Sequence, residues 1–317
     1  MDRWSHVIGY FTAPDGSMIR YAVNSGAVAA PAATIVLLGG RSEFIEKYED
    51  VLEALSRRNC RVYTMDWRGQ GLSARLLKDR HKGHIETFRQ YLDDLHFFME
   101  SIVLPNAAAP VIFLAHSMGA HIALRCLIEQ AAPVAAAVLV SPMIRIRTFP
   151  LPSALVGRLA KLAVRAGLAE RYLPGEGPYQ PGGKRFENNP LTSDRERFME
   201  EHRKIARNPE LALGGVTWGW LAAAMQSIDR LFSKSARQTV RTPVLIIGGR
   251  ADRVVSVPAM RHICRRLPDC RLVEISQARH EILNEAAAIR RLFWQEFDRF
   301  METAIATNTG GEHGLAV

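Results

Sequence analysis

The sequence predicts an α/β fold, a mostly parallel central sheet with helices on both faces. Three observations lead there. Short runs that are apolar at every position recur between segments with helical apolar spacing. The alternation stops after Ser141-Pro142 and resumes near Thr242. The stretch between, typified by YLPGEGPYQPGGKRFENNP, is rich in Pro and Gly and holds no convincing buried strand. A strand apolar throughout must be covered on both faces, and strand–helix alternation supplies the covering helices.

The elements follow in order. VIGYFTAPDGSMIRYAVN places two β-like runs around Pro14-Asp15-Gly16, a hairpin turn signal. ATIVLLGG (33–40) is a buried strand ending in two glycines, and KYEDVLEALSRR a helix with Tyr48, Val51, Leu52 and Leu55 on one face. CRVYTMDW is the next strand. ETFRQYLDDLHFFMESI is the next helix, with Phe88, Tyr91, Leu92, Leu95, Phe98 and Met99 sharing a face. PVIFLAH, a helix from Met118, and AAAVLVSP complete the first half. TPVLIIGG (242–249), a helix from about Pro258 to Leu267, CRLVEIS (270–276) and the helix NEAAAIRRLFWQEFDRFM complete the second. The chain thus divides into a core of 1–141 and 226–303, a helical insertion of 142–225, and a small polar tail of 304–317 expected to be disordered.

The 317 residues suit one large or two modest domains, and 48% apolar residues can fill a sizeable core. MDRWSHVIGY has an acidic second residue and no apolar stretch, so no signal peptide is expected. No run reaches the ~18 apolar residues of a spanning helix; AAPVAAAVLV (131–140) reads as a helix end plus a core strand. A cytoplasmic setting follows, with peripheral contact at a membrane as an addition to it. Cys60, Cys126, Cys264 and Cys270 show no metal-like spacing and are expected to be reduced, packed thiols. No cofactor or metal is expected. The net charge of +9 admits an anionic partner. Scattered Arg and Lys without an aromatic–basic motif argue against nucleic acid and leave an anionic membrane surface or phospholipid, or a basic protein whose charge serves solubility alone.

The chemistry centres on VIFLAHSMGAHIALRCL (111–127), which mounts Ser117 between a buried strand and a helix. A serine there can be a nucleophile on a strained elbow, which demands small residues two positions either side, here Ala115 and Gly119. A helix N-cap is the plainer alternative. A serine hydroxyl needs a base. His116 and His121 sit beside the elbow, but His280, in the loop after the last strand, is better placed. A carboxylate must fix the histidine tautomer. Asp252 follows a buried strand on the same sheet edge, and its strand should lie beside the one preceding His280; Asp66 and Asp269 are rivals. The tetrahedral oxyanion needs two backbone donors, expected from Met118 and from Arg41 after the glycine pair. The Arg41 side chain could meet a phosphate, or a salt bridge to Glu43.

GGRSEFIEKYEDV, DWRGQGLS, AHSMGA, GGRADRVV and QARHEILNE resemble the α/β-hydrolase superfamily, and within it the lysophospholipase and monoacylglycerol-lipase branch, also grouped with serine aminopeptidases. The likeness covers 33–141 and about 240–300. It implies Ser117, Asp252 and His280 as the triad, the Arg41 and Met118 amides as the oxyanion hole, and a loop-tying role for Asp66 and Arg68. Two departures stand out: Ala115 replaces the usual Gly, and GGR replaces the His-Gly start common in that branch.

The insertion resembles that family's cap. LPSALVGRLAKLAVRAGL reads as an amphipathic helix with Leu151, Leu155, Leu159, Leu162 and Ala166 on one side and Arg158, Lys161 and Arg165 beside them. Such a face either packs on the core or docks on an anionic membrane. Trp218, Trp220 and Met225 either wall an acyl chain, as substrate-binding residues, or pack in the core. The resulting expectation is a serine carboxylester hydrolase acting on a lysophospholipid or monoacylglycerol. The alternatives are a peptidase, with Asp194, Glu196 or Glu200 anchoring the substrate amine, a thioesterase, or a non-catalytic binding scaffold. The sequence leaves the oligomeric state unread.

Overall fold

A computed structural model describes residues 6–24, 30–129, 132–148, 150–183, 185–232 and 240–309, the last four as backbone only. Its centre is an 8-stranded sheet of order β1-β2-β4-β3-β5-β6-β7-β8. The strands are β1 (His6–Thr12), β2 (Met18–Asn24), β3 (Ala33–Leu38), β4 (Cys60–Met65), β5 (Val111–His116), β6 (Ala136–Val140), β7 (Val244–Gly249) and β8 (Cys270–Ile275). β1 and β2 form the expected hairpin, where Asp15 Oδ1 accepts the Ser17 N–H at 3.0 Å and Gly16 takes φ 86°. β2 runs antiparallel to β4, and every pairing from β4 to β8 is parallel.

The strand runs are apolar throughout because alternate side chains enter two different cores. Val36, Leu38, Phe113, Leu139 and Ile246 point into one cluster; Ile35, Leu37, Leu114, Val138 and Ile247 point into the other. The first is covered by α2 (Phe88–Phe98), α3 (Ser117–Glu129), part of α6 (Trp218–Leu231) and α7 (Val257–Cys264). The second is covered by α1 (Glu49–Ser56) and α8 (Ala287–Thr309). Each Leu or Ile removed from water in this way contributes about 1.5–3 kcal/mol. All six residues assigned to one face of the α2 region are buried, and Thr87 with Gln90 caps that helix reciprocally.

The long connection follows β6 and carries α4 (Ser153–Arg165) and α5 (Arg195–Arg207) before α6. α6 starts inside the expected insertion and runs past residue 225, and Trp220, Ala223 and Ala224 join the main core. α8 runs to Thr309, beyond the expected tail start at 304; residues 310–317 lie outside the described residues. Cys264 and Cys270 form a disulfide, so of the four thiols expected to be reduced only the buried Cys60 and Cys126 lie outside a disulfide. The cytoplasmic expectation loses the support that four free thiols would have lent it. Among the described residues no helix is long and apolar enough to cross a membrane.

Candidate active site

The sheet sets the site by its strand order. β3 and β5 are neighbours, and the connection after β3 leaves toward β4 while that after β5 leaves toward β6, so a crevice opens at their carboxyl ends. The loop after β3 and the start of α3 after β5 meet there. β5 passes into α3 through Ser117, whose φ of 51° is left-handed, at a cost of about 1–2 kcal/mol for an L-residue. Gly119 makes the turn possible: a Cβ there would lie 2.4 Å from the Gly39 carbonyl oxygen. Ala115, where the resemblance led us to expect Gly, is fully buried in the β5 ladder between Leu38 and Leu139.

Asp252 and His280 arrive from the neighbouring strands β7 and β8. Their loops are tied together, with the Arg250 N–H donating to the Ile275 carbonyl and the Ala251 N–H to that of Ala278, both at 3.0 Å. His280 Nε2 lies 2.9 Å from Ser117 Oγ, and His280 Nδ1 lies 2.8 Å from Asp252 Oδ2. All three side chains are buried. Asp252 Oδ1 accepts the N–H groups of Val254 and Val255 at 2.7 and 2.9 Å. Burial pushes the Asp252 carboxyl up, but His280 and these two donors outweigh it and hold it below the usual carboxylate range. The structure thus brings together the three residues singled out from the sequence. Asp269 precedes β8, at the opposite edge of the sheet, and Asp66 is engaged elsewhere: it takes the Ile45 and Leu72 N–H groups and the Arg20 guanidinium. Arg68 bridges Asp94 and Asp15, a loop tie of the kind expected of Asp66 and Arg68.

The loop after β3 holds what the sequence did not reveal. Glu43 Oε2 accepts the Gly40 N–H, the Tyr48 hydroxyl and His116 Nδ1, the last at 3.0 Å. Its Oε1 lies 3.1 Å from Lys47 Nζ, which also meets Glu201 at 2.6 Å and Glu281 at 2.7 Å. The other nitrogen of His116 lies 3.2 Å from the His280 carbonyl oxygen. Burial raises the Glu43 carboxyl, but His116 and Lys47 draw it well below its ordinary value; Glu43 correspondingly lifts His116 against its own desolvation. The Gly40 amide is therefore committed to Glu43, while no acceptor among the described residues takes the Arg41 N–H. The Met118 N–H stands in the first turn of α3, where helix amides lack intrahelical acceptors. The expected Arg41–Glu43 salt bridge does not form: Arg41 donates to the Gly214 carbonyl at 3.2 Å and lies 5.9 Å from the Trp220 ring centroid.

A cavity of about 700 Å³ opens above Ser117 and His280. Arg41, Ser42 and Val254 border it from the sheet side; Arg185, Asn189, Leu191 and Phe198 border it from the long connection. Trp218, Trp220 and Met225 do not line it and so do not form the expected acyl wall. Trp220 packs on Phe88, and Met225 joins Ala160, Leu221 and Ile228 between α4 and α6. Asp194, Glu196 and Glu200 are also absent from it: Asp194 caps α5, and both glutamates pair with Arg203. Glu201 does border the cavity. Among the described residues no cluster of three or more His, Cys, Asp or Glu could hold a metal.

α4 corrects the alternative of a packed leucine face. Its Gly157 and Ala160 pack on α6, while Leu151, Leu155, Leu159 and Leu162 are 42–57% exposed. Among the described residues, Arg158, Lys161 and Arg165 beside them have no carboxylate within 4.0 Å.

Comparison with known proteins agrees with this architecture. A family model described as "Serine aminopeptidase, S33" matches residues 29–287. The chain is 30% identical over 268 residues to the probable lysophospholipase L2 of Haemophilus influenzae, covering 84% of this chain and 83% of that protein. It is 30% identical over 264 residues to lysophospholipase L2 of Escherichia coli K12, covering 81% and 76%. A soluble variant of monoglyceride lipase from Saccharomyces cerevisiae, solved with a substrate analog, superposes with a TM-score of 0.73 at 17% identity, covering 94% of this chain and 96% of that one. This last likeness speaks for the fold.

Proposed function

We propose, from the premise that the chain belongs to the serine aminopeptidase S33 family of α/β-hydrolases, that this hydrolase cleaves carboxylic esters of single-chain lipids, lysophospholipids or monoacylglycerols. The observation that carries the reading is the unbroken hydrogen-bonded line from Ser117 Oγ through His280 to Asp252, opening on the 700 Å³ cavity. In the proposed reaction Ser117 Oγ attacks the acyl carbonyl carbon as its proton passes to His280 Nε2. The Arg41 and Met118 N–H groups hold the oxyanion. Collapse breaks the bond to the alcohol oxygen, which takes the proton from His280. Water then attacks the acyl-enzyme and gives a proton to His280; the bond to Oγ breaks, the proton returns to Ser117, and the fatty acid leaves. Asp252, kept ionised, holds the imidazolium that forms twice.

Two further features favour lipid esters over peptides. The carboxylates beside the cavity, Glu43, Glu201 and Glu281, all contact Lys47 and so offer no free anchor for a substrate's amino terminus. The exposed leucines of α4, flanked by cations that have no carboxylate within 4.0 Å among the described residues, suit peripheral docking on an anionic bilayer, where such a substrate resides. The long connection after β6 then serves as a cap, with Arg185, Asn189, Leu191 and Phe198 bordering the cavity and α4 facing outward. A panel of lysolipids, aminoacyl arylamides and acyl thioesters tests the reading. Preferred turnover of lysolipids, with fluorophosphonate labelling lost in Ser117→Ala, supports it. Preferred turnover of arylamides or thioesters would replace the substrate class, and absence of labelling would remove the mechanism.

A further inference from the structure

The geometry points to the Arg41 side chain, with the Ser42 hydroxyl, as a phosphodiester-binding subsite for the substrate's head group; this rests on the lipid-ester reading above and deepens it. Arg41 stands at the junction of two cavities. It lines the one above Ser117, and it also lines a second of about 480 Å³ walled by Glu176, Tyr179, Gln180 and a series of glycines. Both share Arg41 and Gly183.

The guanidinium is unusual within this molecule. Buried Arg20 meets Glu46 and Asp66, Arg68 meets Asp94 and Asp15, and Arg125 meets Glu129. Arg75, which lacks a carboxylate, instead donates to four backbone carbonyls. Among the described residues Arg41 has one carbonyl partner, Gly214, and no carboxylate within 4.0 Å. Burial pulls its pKa down, and Glu176, facing it beyond contact, only partly offsets this. A planar fork of five donors with one engaged is suited to a phosphate. Ser42, next in the loop, also borders the catalytic cavity; its hydroxyl is buried without a partner among the described residues and reaches a phosphate on rotation of its side chain.

Reach agrees with chemistry. In a 1-acyl glycerophospholipid six bonds separate the carbonyl carbon from phosphorus, roughly 7 Å at about 1.2 Å of advance per bond. An arginine side chain spans a similar length from its backbone N–H to its guanidinium. One residue can therefore serve both ends of the substrate, its amide on the oxyanion and its fork on the phosphate. The leaving glycerophospho group would occupy the second cavity.

The test compares kcat/KM for a lysophosphatidylethanolamine and a monoacylglycerol of the same chain. Arg41→Met lowers the phospholipid-to-glyceride ratio by roughly tenfold to a hundredfold, and Arg41→Lys recovers part of it. A ratio left unchanged while both activities fall together would overturn the assignment and leave Arg41 a structural residue. Wild-type enzyme that cleaves the glyceride and not the phospholipid would also overturn it, with ester hydrolysis intact. Calorimetry of sn-glycerol 3-phosphate with Ser117→Ala protein, with and without Arg41→Met, reads the anion site apart from turnover. Arg41-dependent binding, where the wild-type enzyme cleaves neither lipid, keeps the subsite and removes the ester reading; absence of Arg41-dependent binding removes the subsite.

Discussion

The carboxyl edge of the sheet and the outer face of α4 are opposites. At the edge nearly every polar group has a named partner: Asp252 holds His280, Glu43 holds Gly40, Tyr48 and His116, and Lys47 meets three carboxylates. On α4, by contrast, the leucines are half exposed and, among the described residues, the cations beside them have no carboxylate within 4.0 Å. The two regions end their tasks in different places. A closed polar network fixes geometry for chemistry inside the molecule; an open apolar and basic face is completed by something outside it.

The sharpest way to break this contrast is at the edge itself. Ser117→Ala is expected to lower kcat on a p-nitrophenyl ester by about 10⁶ with the melting transition retained; unchanged turnover would mean the polar network serves another end. Asp252→Asn should cost about 10⁴ in kcat, because the amide cannot fix the tautomer that leaves Nε2 free to accept the Ser117 proton.

Glu43 belongs to the same closed network and borders the cavity above Ser117. Glu43→Gln is expected to lower kcat by about tenfold to a hundredfold and stability by about 2–4 kcal/mol, leaving Lys47 and His116 undercompensated. The pH dependence has a definite sign. The Glu43 pKa is depressed, so its contribution is full above the ordinary 4.5 and lost as pH falls through its lower folded value. The His116 pKa is raised, so its contribution is full below 6.5 and lost as pH rises through its higher folded value. Melting temperature should therefore hold between these limits and decline above 6.5, and the alkaline decline should be blunted in Glu43→Gln. A parallel decline in both proteins would dissolve the pairing.

On the open side, replacing Leu155 and Leu159 with Ser should weaken binding to anionic vesicles tenfold or more, at about 1.5–3 kcal/mol per leucine withdrawn from the lipid. Turnover of vesicle-borne ester should fall relative to a soluble one. Retained flotation with vesicles would mean that α4 faces outward for another reason. The smallest effect is expected at Cys264 and Cys270, whose bond closes a loop of sequence separation 6. Its reduction should cost about 2 kcal/mol, read as a small shift in denaturant midpoint.

Legibility followed the same divide. Ser117 was visible because a buried strand gives way to a helix at one residue, and Asp252 and His280 because each closes a strand on the same rim; parallel pairing then brings such loops together by rule. Glu43 was missed because its partner His116 is 73 positions away and no local pattern links them. In α4 periodicity correctly grouped the leucines, but a stripe tells which residues share a face and not which face is covered. Trp218, Trp220 and Met225 misled for that reason. The carboxylate that reaches the cavity from α5 is Glu201, one position from Glu200, a rotation of about 100° that helix spacing alone cannot phase.

The left-handed backbone at Ser117 sets durability against reactivity. A glycine in its place would relieve roughly 1 kcal/mol of torsion; under the proposed mechanism that sturdier protein would be inert, so robustness and reactivity pull in opposite directions at this one position.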